Sequence, residues 1–460
     1  MAGIGFVLRR LTQRDDLLGL AQGYLLSALV SSGPWLLTVL AIAGVNLIGN
    51  AVAGVNQVEQ FRIIIIYNFG FSLLFSGPVL LVGTRYLADR IFVRDVSDAP
   101  SMFLGAYGLI VLTQAPLVLP FYLWWVQTDD LIRLGAITNY FLVAALWLVT
   151  IFLSALKDYR TIAVAFGLGM AVAIGSTAWA GRTYGAAGLC FSFSAGLAVV
   201  VFLMVARLWA EYPYGFARPW GFLAYFRRFK ALAAIGFFAN AAAWIDKWIM
   251  WLAPEHSWPA HRMVSYPAYD SAMFLAYLVI VPTLALFIVQ VETEFFEHYK
   301  RFYDAIQRHA TRAQIRENQR AIIDTVLRAS RNLIVLQLVL CGLVILLSPQ
   351  IFAGLGVSFT QLGMFRIGVL GAMFHGLIMF ACILLAYFDL RRDMLIVNVV
   401  FFGLNAGFTA VTLNLGFPYY GYGYFLAALV TFLFTYGLIV RRLGDLPYLT
   451  FVKQNQSVTH

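Results

Sequence analysis

Asp246 and Lys247 are adjacent ionisable residues in an otherwise apolar stretch, Asn240-Ala-Ala-Ala-Trp244-Ile-Asp246-Lys247-Trp248. Charges inside a membrane-spanning segment are costly, and they mark a polar pathway or a paired bridge between helices. Neighbours on a helix point about 100° apart, so each of the two is expected to meet another group rather than its neighbour. In one reading Lys247 faces a water-filled lumen and attracts an anionic or highly polar solute. In the other, a buried salt bridge locks two helices. A second set of residues interrupts helices: Ser31-Ser32-Gly33-Pro34-Trp35 in the first apolar run, Ser76-Gly77-Pro78 in the second and Pro282 in the eighth. Proline removes a backbone hydrogen bond, while serine and glycine permit close helix contact or line a polar passage. Transporters use such breaks as binding sites and hinges, which makes Gly33, Pro34, Gly77, Pro78 and Pro282 hinge candidates.

Other reactive side chains point to no chemistry. His375 is a lone imidazole in an apolar run and reads as a hydrogen-bonded packing residue. Glu255, His256, His261 and Asp270 share the largest outward loop, but their spacing matches no zinc pattern, and Pro254, Pro259 and Pro267 suggest a stiff cap. Cys190, Cys341 and Cys382 fall inside apolar runs and indicate neither disulfide nor metal. No Gly-rich phosphate loop of the Walker type is present. The expectation is a protein that is no enzyme and needs no cofactor.

The elements that must hold these residues are membrane helices. Of the 460 residues 61% are hydrophobic and only 12% charged, far from a soluble domain. Runs long enough to cross a bilayer lie near 20–48, 62–84, 102–125, 135–155, 161–180, 186–206, 231–252, 271–291, 333–354, 364–387, 394–415 and 420–440. The fold expected is all-α and polytopic, with about twelve transmembrane helices. Most of the 32 Lys and Arg fall in alternate loops, which places both termini in the cytoplasm. The net charge of +10 is thereby explained by membrane orientation and anionic lipid, not by nucleic acid. Residues 1–19 read as an interfacial helix rather than a cleaved signal. The chain divides into a six-helix lobe over 1–210, a cytoplasmic linker over 211–230 and a second six-helix lobe over 231–460. Within the last, residues 292–332 carry one apolar stripe at Phe295, Tyr299, Phe302 and Ile306 and another at Ile315, Ile322 and Val326. They read as one or two amphipathic helices lying on the inner leaflet or docking a cytoplasmic partner, or as a mere surface connection between spans.

Twelve spans with Asp89-Arg90 in an early loop invite comparison with major-facilitator transporters. Gly83 stands two residues too far from Asp89 for that motif, the second copy is missing, and the long loop follows the eighth span rather than the sixth. A different family fits. Met1-Ala2-Gly3-Ile4-Gly5-Phe6, Ser31-Ser32-Gly33-Pro34-Trp35, Thr84-Arg85-Tyr86-Leu87-Ala88-Asp89-Arg90, Ser154-Ala155-Leu156-Lys157-Asp158-Tyr159-Arg160, Trp244-Ile245-Asp246-Lys247 and Val291-Glu292-Thr293-Glu294-Phe295-Phe296-Glu297-His298-Tyr299-Lys300 together resemble the PelG family of Pel exopolysaccharide transporters. The resemblance implies the polysaccharide-transporter branch of the multidrug/oligosaccharidyl-lipid/polysaccharide (MOP) superfamily, a MATE-like fold of two six-helix lobes around a cavity. It implies export of an N-acetylgalactosamine/N-acetylglucosamine polymer through the bacterial inner membrane for a biofilm matrix. The implied partners are the cytoplasmic glycosyltransferase PelF and the membrane proteins PelD and PelE.

On this footing Trp35, Asn240, Trp244, Asp246 and Lys247 are expected along the substrate path, with Arg85 and Asp89 at the cytoplasmic mouth. Glu292, Glu294, Phe295, Tyr299 and Arg301 would face the synthase. Two other functions use the same elements: a non-transporting scaffold for the synthase, and an ion-coupled antiporter of small molecules. The antiporter calls for an ionisable carboxylate in the first lobe's cavity, and the first span has none.

Overall fold

The computed structural model describes residues 36–453 apart from 157, 214, 216, 217, 260 and 285–293. Among the described residues the backbone is helical, with a single isolated bridge between Ser257 and Ser265. Two compact units emerge. One comprises residues 36–244 with Pro254–Tyr266; the other comprises Ile245–Ala253 with residues 267–453.

The first unit begins with α1, Leu36–Val52, and α2, Val55–Val93, which carries Pro78 within it. Next come α3, Ala99–Pro120, continued by a π-turn over Phe121–Trp125, and α4, Asp130–Leu156. The element α5, Tyr159–Glu211, holds 53 residues, far more than a bilayer needs, and folds back on itself at Gly185. That residue has φ 57° and ψ −132°, a conformation that a Cβ strongly disfavours. Gln57 on α2 closes the turn by accepting from the Ala186 amide at 2.9 Å. The two arms then lie backbone to backbone: a Cβ on Gly196 would fall 2.4 Å from the Gly169 carbonyl, and one on Gly188 only 1.9 Å from that of Ala180. Small residues allow this approach, and dispersion contacts replace the hydrophobic drive that lipid does not supply. At the open end Arg207 donates to Asp158 at 2.7 Å, while Asp158 caps the helix by accepting from the Thr161 amide at 3.2 Å. The short α6, Leu223–Arg228, leads into α7, Lys230–Met250, which supplies residues to both units.

In the second unit α8, Pro267–Tyr277, runs into a break at 278–281. There the amides of Leu278, Val279 and Val281 bond three residues back, the tighter 3₁₀ pattern, just ahead of Pro282. Gln337, itself buried, donates to the Val279 carbonyl within the break at 3.1 Å. After α9, Phe296–Gln307, comes α10, Arg312–Leu346, followed by α11, Ser348–Leu355, and α12, Leu362–Tyr387. Then α13, Arg391–Leu415, and α14, Tyr422–Gly444, form a hairpin turned through Gly416 and Gly421, both at φ 93°. Arg442 grips Asp393 with two bonds of 2.7 Å across its open end. This ion pair and the one in α5 span the same separation, 49 residues. A shared device thus recurs in the two units, although no internal repeat is legible in the sequence.

Residues 292–332, read from the sequence as one or two amphipathic helices, hold α9 and the first part of α10, which runs on without interruption to Leu346. A capping box at Thr311 and Gln314 starts the helix, and no breaker follows before Leu346. At about 1.5 Å per residue it reaches roughly 52 Å, longer than a hydrocarbon layer of roughly 30 Å. The stripe of Ile315, Ile322 and Val326 is buried against protein, and Gln319 donates to the carbonyls of Leu443 and Gly444 at 2.8 and 2.9 Å.

Nine described helices are long and apolar enough to cross a membrane. The expected runs from 62–84 onward fall on helices where they are described, apart from turn residues near some of their ends, and 285–291 of the eighth lie outside the described residues. The run near 333–354 takes the second half of α10 and continues, past a break at Ser348-Pro349, into α11.

Candidate functional site

The second unit gathers its polar groups around Asp246. The carboxylate is fully buried, and Lys247 retains 9% exposure. Contrary to the sequence expectation, the two pair with each other: Lys247 Nζ lies 3.0 and 3.1 Å from the carboxylate oxygens. Backbone geometry separates the Cβ directions, but the four-carbon lysine stem is long enough to fold back across that angle. Both residues also meet neighbouring helices, as expected. Tyr269 on α8 donates to Asp246 at 3.1 Å, and Asn405 on α13 donates at 3.4 Å. Thr409, one turn further, bonds Asn405 Oδ1 at 3.2 Å. The ammonium of Lys247 sits 4.7 Å from the ring centre of Tyr277 and 5.4 Å from that of Tyr424, so two aromatic faces share its charge.

His375 on α12 completes the group. Its Nδ1 lies 2.9 Å from the Tyr277 hydroxyl and 3.1 Å from that of Tyr424, and its ring packs on Phe401. The imidazole is thus hydrogen-bonded packing, as its position suggested. One carboxylate, one ammonium, three phenols, one imidazole and one amide form a connected cluster whose formal charges cancel. Tyr269, Tyr277, Asn405 and Tyr424 were not singled out from the sequence. Asn405 with Thr409 four residues on, inside an apolar run, was the available signal.

A separate network in the first unit is built only from neutral groups. Asn68 donates to the Ala136 carbonyl and to Asn139 Oδ1, each at 2.9 Å, and accepts from Tyr122 at 2.7 Å. Asn139 reaches Ser194 at 3.3 Å. Gln114 bonds Ser76 at 3.0 Å and accepts from Tyr140 at 2.8 Å. These amides within apolar helices went unremarked in the sequence, although each is costly in lipid unless paired.

Four of the five path candidates fall among the described residues, two in each unit. Asn240 and Trp244 belong with α2: the Trp244 indole lies 3.2 Å from where a Cβ on Gly70 would stand. Asp246 and Lys247 belong with α8 and α12–α14, whereas Trp35, Gly33 and Pro34 lie outside the described residues. At Gly77, α2 crosses α7 with no room to spare, since a Cβ there would fall 2.1 Å from the Gly236 carbonyl. Asn240 bonds that carbonyl at 2.8 Å and the Leu73 carbonyl at 3.4 Å. Gly77 and Pro78 thus sit within a continuous helix at a close crossing, and Pro282 follows the 3₁₀ turn after α8.

Arg85 and Asp89 pair one turn apart at 3.2 Å, with the guanidinium 5.4 Å from the Phe229 ring. Next to them Arg90 binds Asp98 at 2.7 Å and Asp95 at 3.2 Å. Among the docking candidates Glu292 lies outside the described residues, and Glu294 and Arg301 are exposed. Phe295 is buried against Tyr387 and Phe388, and Tyr299 packs on the same pair. Burial pushes the Tyr299 hydroxyl up to about 12, so it stays protonated. In the loop after α7 and the start of α8, Asp270 accepts from the Trp251 indole at 3.0 Å, His261 accepts from the Met263 amide at 3.3 Å, and no three His, Cys, Asp or Glu converge among the described residues.

A family model, PelG, described as "Putative exopolysaccharide Exporter (EPS-E)", matches residues 1–451. The chain belongs to the PelG family. That is a family of exporters rather than enzymes, and with its apolar helices the chain is a multi-pass membrane protein. Solved structures share the fold. A MATE protein in complex with MaL6 is 14% identical, with a TM-score of 0.61 over 91% of this chain and 97% of that one. An inward-facing multidrug resistance MATE family transporter of the MOP superfamily is 15% identical, with a TM-score of 0.61 over 91% and 99%. A MOP superfamily transporter from Pyrococcus furiosus is 14% identical, with a TM-score of 0.60 over 91% and 96%. At such identities the likeness is one of fold, which is the MATE-like fold expected. No curated protein matches the chain.

Proposed function

We propose that this PelG-family exporter carries a Pel-type polymer of N-acetylgalactosamine and N-acetylglucosamine across the bacterial inner membrane, for a biofilm matrix. The observation that carries the reading is the chemistry of the polar groups held among the apolar helices. In the first unit they are amides and hydroxyls, and in the second the one carboxylate of the Asp246 cluster is neutralised by its own neighbour. A neutral acetamido sugar exchanges hydrogen bonds with such groups and stacks on aromatic rings, without the desolvation cost that a fixed net charge would impose. Asn240, Trp244, Asp246 and Lys247 are proposed to border the path, and the paired Arg85 and Asp89 its cytoplasmic mouth.

The accompanying topology has twelve spans and both termini in the cytoplasm. The hairpin of α9 and the first half of α10 would then face the cytosol, with Glu294 and Arg301 offered to the glycosyltransferase PelF and to PelD and PelE. Depletion of the protein in a polymer-producing cell tests export directly. Amino-sugar polymer is measured in cytosol, membrane lipid and medium. Accumulation inside with loss outside supports the reading, and the pool that rises names the cargo. Arrested synthesis with nothing accumulated, while the synthase stays membrane-bound, favours the scaffold instead.

A further inference from the structure

Between α10, α12 and α14 of the second unit runs a narrow crevice with about 70 Å³ of open space. Leu327, Ser330 and Ile334 form one wall, Leu377 and Phe380 the floor, and Tyr436 and Val440 the other wall. At roughly 10–15 Å³ for each water-sized group, this slot admits a run of several methylenes and not a helix of roughly 10 Å diameter. Its lining covers Ile323 to Ile334 on α10, which rises roughly 16 Å. The crevice lies at the arginine-rich end of the helices, beside the last three turns of α14.

The mouth carries the second observation. Arg320 stands one turn beyond Ile323 on the same face of α10, and Arg316 one turn further. Both are exposed, and neither is in an ion pair among the described residues. Like charges at i and i+4 repel one another on a helix, so Arg316 and Arg320 gain from an anion held between them. Headgroup layers add roughly 5–8 Å to each side of the hydrocarbon, and Arg320 and Arg316 stand roughly 4–5 and 10 Å beyond Ile323, on either side of that height.

We propose that the crevice is a binding site for an anionic phospholipid, with one acyl chain in the slot and the phosphate between Arg316 and Arg320. The full chain, purified in detergent, is mixed with equal amounts of phosphatidylglycerol and phosphatidylcholine of identical chains, and the retained lipid is read by native mass spectrometry. Phosphatidylglycerol is expected to be retained preferentially, by roughly fivefold for each engaged arginine. R316Q/R320Q should abolish the preference and leave the weaker, headgroup-blind binding. Ser330→Phe, which fills the slot, should reduce both lipids, and Leu327→Trp provides the same test from the opposite edge of that wall. Equal retention of the two lipids by the wild type overturns the proposal. So does retention of neither, or an undiminished preference in the double variant. None of these readouts depends on polymer export.

Discussion

At the scale of single residues, the Asp246–Lys247 pair has the most to lose. Removing one partner leaves the other buried and uncompensated, which costs about 3–5 kcal/mol in a dry interior. Asp246→Asn and Lys247→Met are each expected to lower the melting temperature in detergent sharply. The double substitution should be less damaging than the two singles added together, because no lone charge remains. Additive losses would mean that the pair is not a unit. The pair itself was legible in the sequence, since two charges in an apolar run are hard to miss. Its partners were not: Tyr269 stands 23 residues away and Asn405 stands 159. A phenol or amide in a span becomes a partner only when its helix turns the right face to the right neighbour. The mutual bond between Asp246 and Lys247 was misjudged because helix geometry sets Cβ directions and not where a flexible lysine stem ends.

At the scale of elements, contact between backbones governs the α2–α7 crossing. Gly77→Ala must push the helices apart or fail to fold, since the added carbon would meet the Gly236 carbonyl at 2.1 Å. Gly175→Ala, where nothing lies within 4 Å, should be neutral or slightly stabilising through helix propensity. Melting temperatures of the two variants in the same detergent check this, and equal effects would count against the crossing. The α5 clip responds to acid. Burial, the largest single influence on Asp158, works to raise its carboxyl, but bonds from Arg207 and Thr161 outweigh it and hold the group below 3.8. A carboxylate lowered in this way stabilises the fold above its unfolded value and loses that contribution as pH falls through the folded one. Asp158→Asn should therefore lower the melting temperature at pH 7, and the gap should close as pH drops below about 4. A gap that persists in acid would assign the loss to something other than the ion pair. Gly77 and Pro78 drew attention in advance, yet α2 runs through them without interruption, and what Gly77 serves is the close approach of α7. The fold-back at Gly185 was visible only as a gap between two apolar runs.

At the scale of the whole molecule, the proposed topology fixes which loops share a side. Single cysteines at Arg308, in the loop between α9 and α10, and at Trp258, in the loop after α7, should react with a membrane-impermeant maleimide from opposite sides. Labelling from the same side would break the parity of the proposed topology. Membrane class, the helical runs and family resemblance all followed from the amino-acid sequence, because each depends on local properties: run length against bilayer thickness, charge between runs, and short ordered motifs. Tertiary structure alone decided which buried polar groups meet, that α10 runs unbroken from Arg312 to Leu346, and that Asp158–Arg207 and Asp393–Arg442 close helices over the same separation. Those outcomes depend on which helix faces pack together, and residues far apart along the chain encode that only jointly.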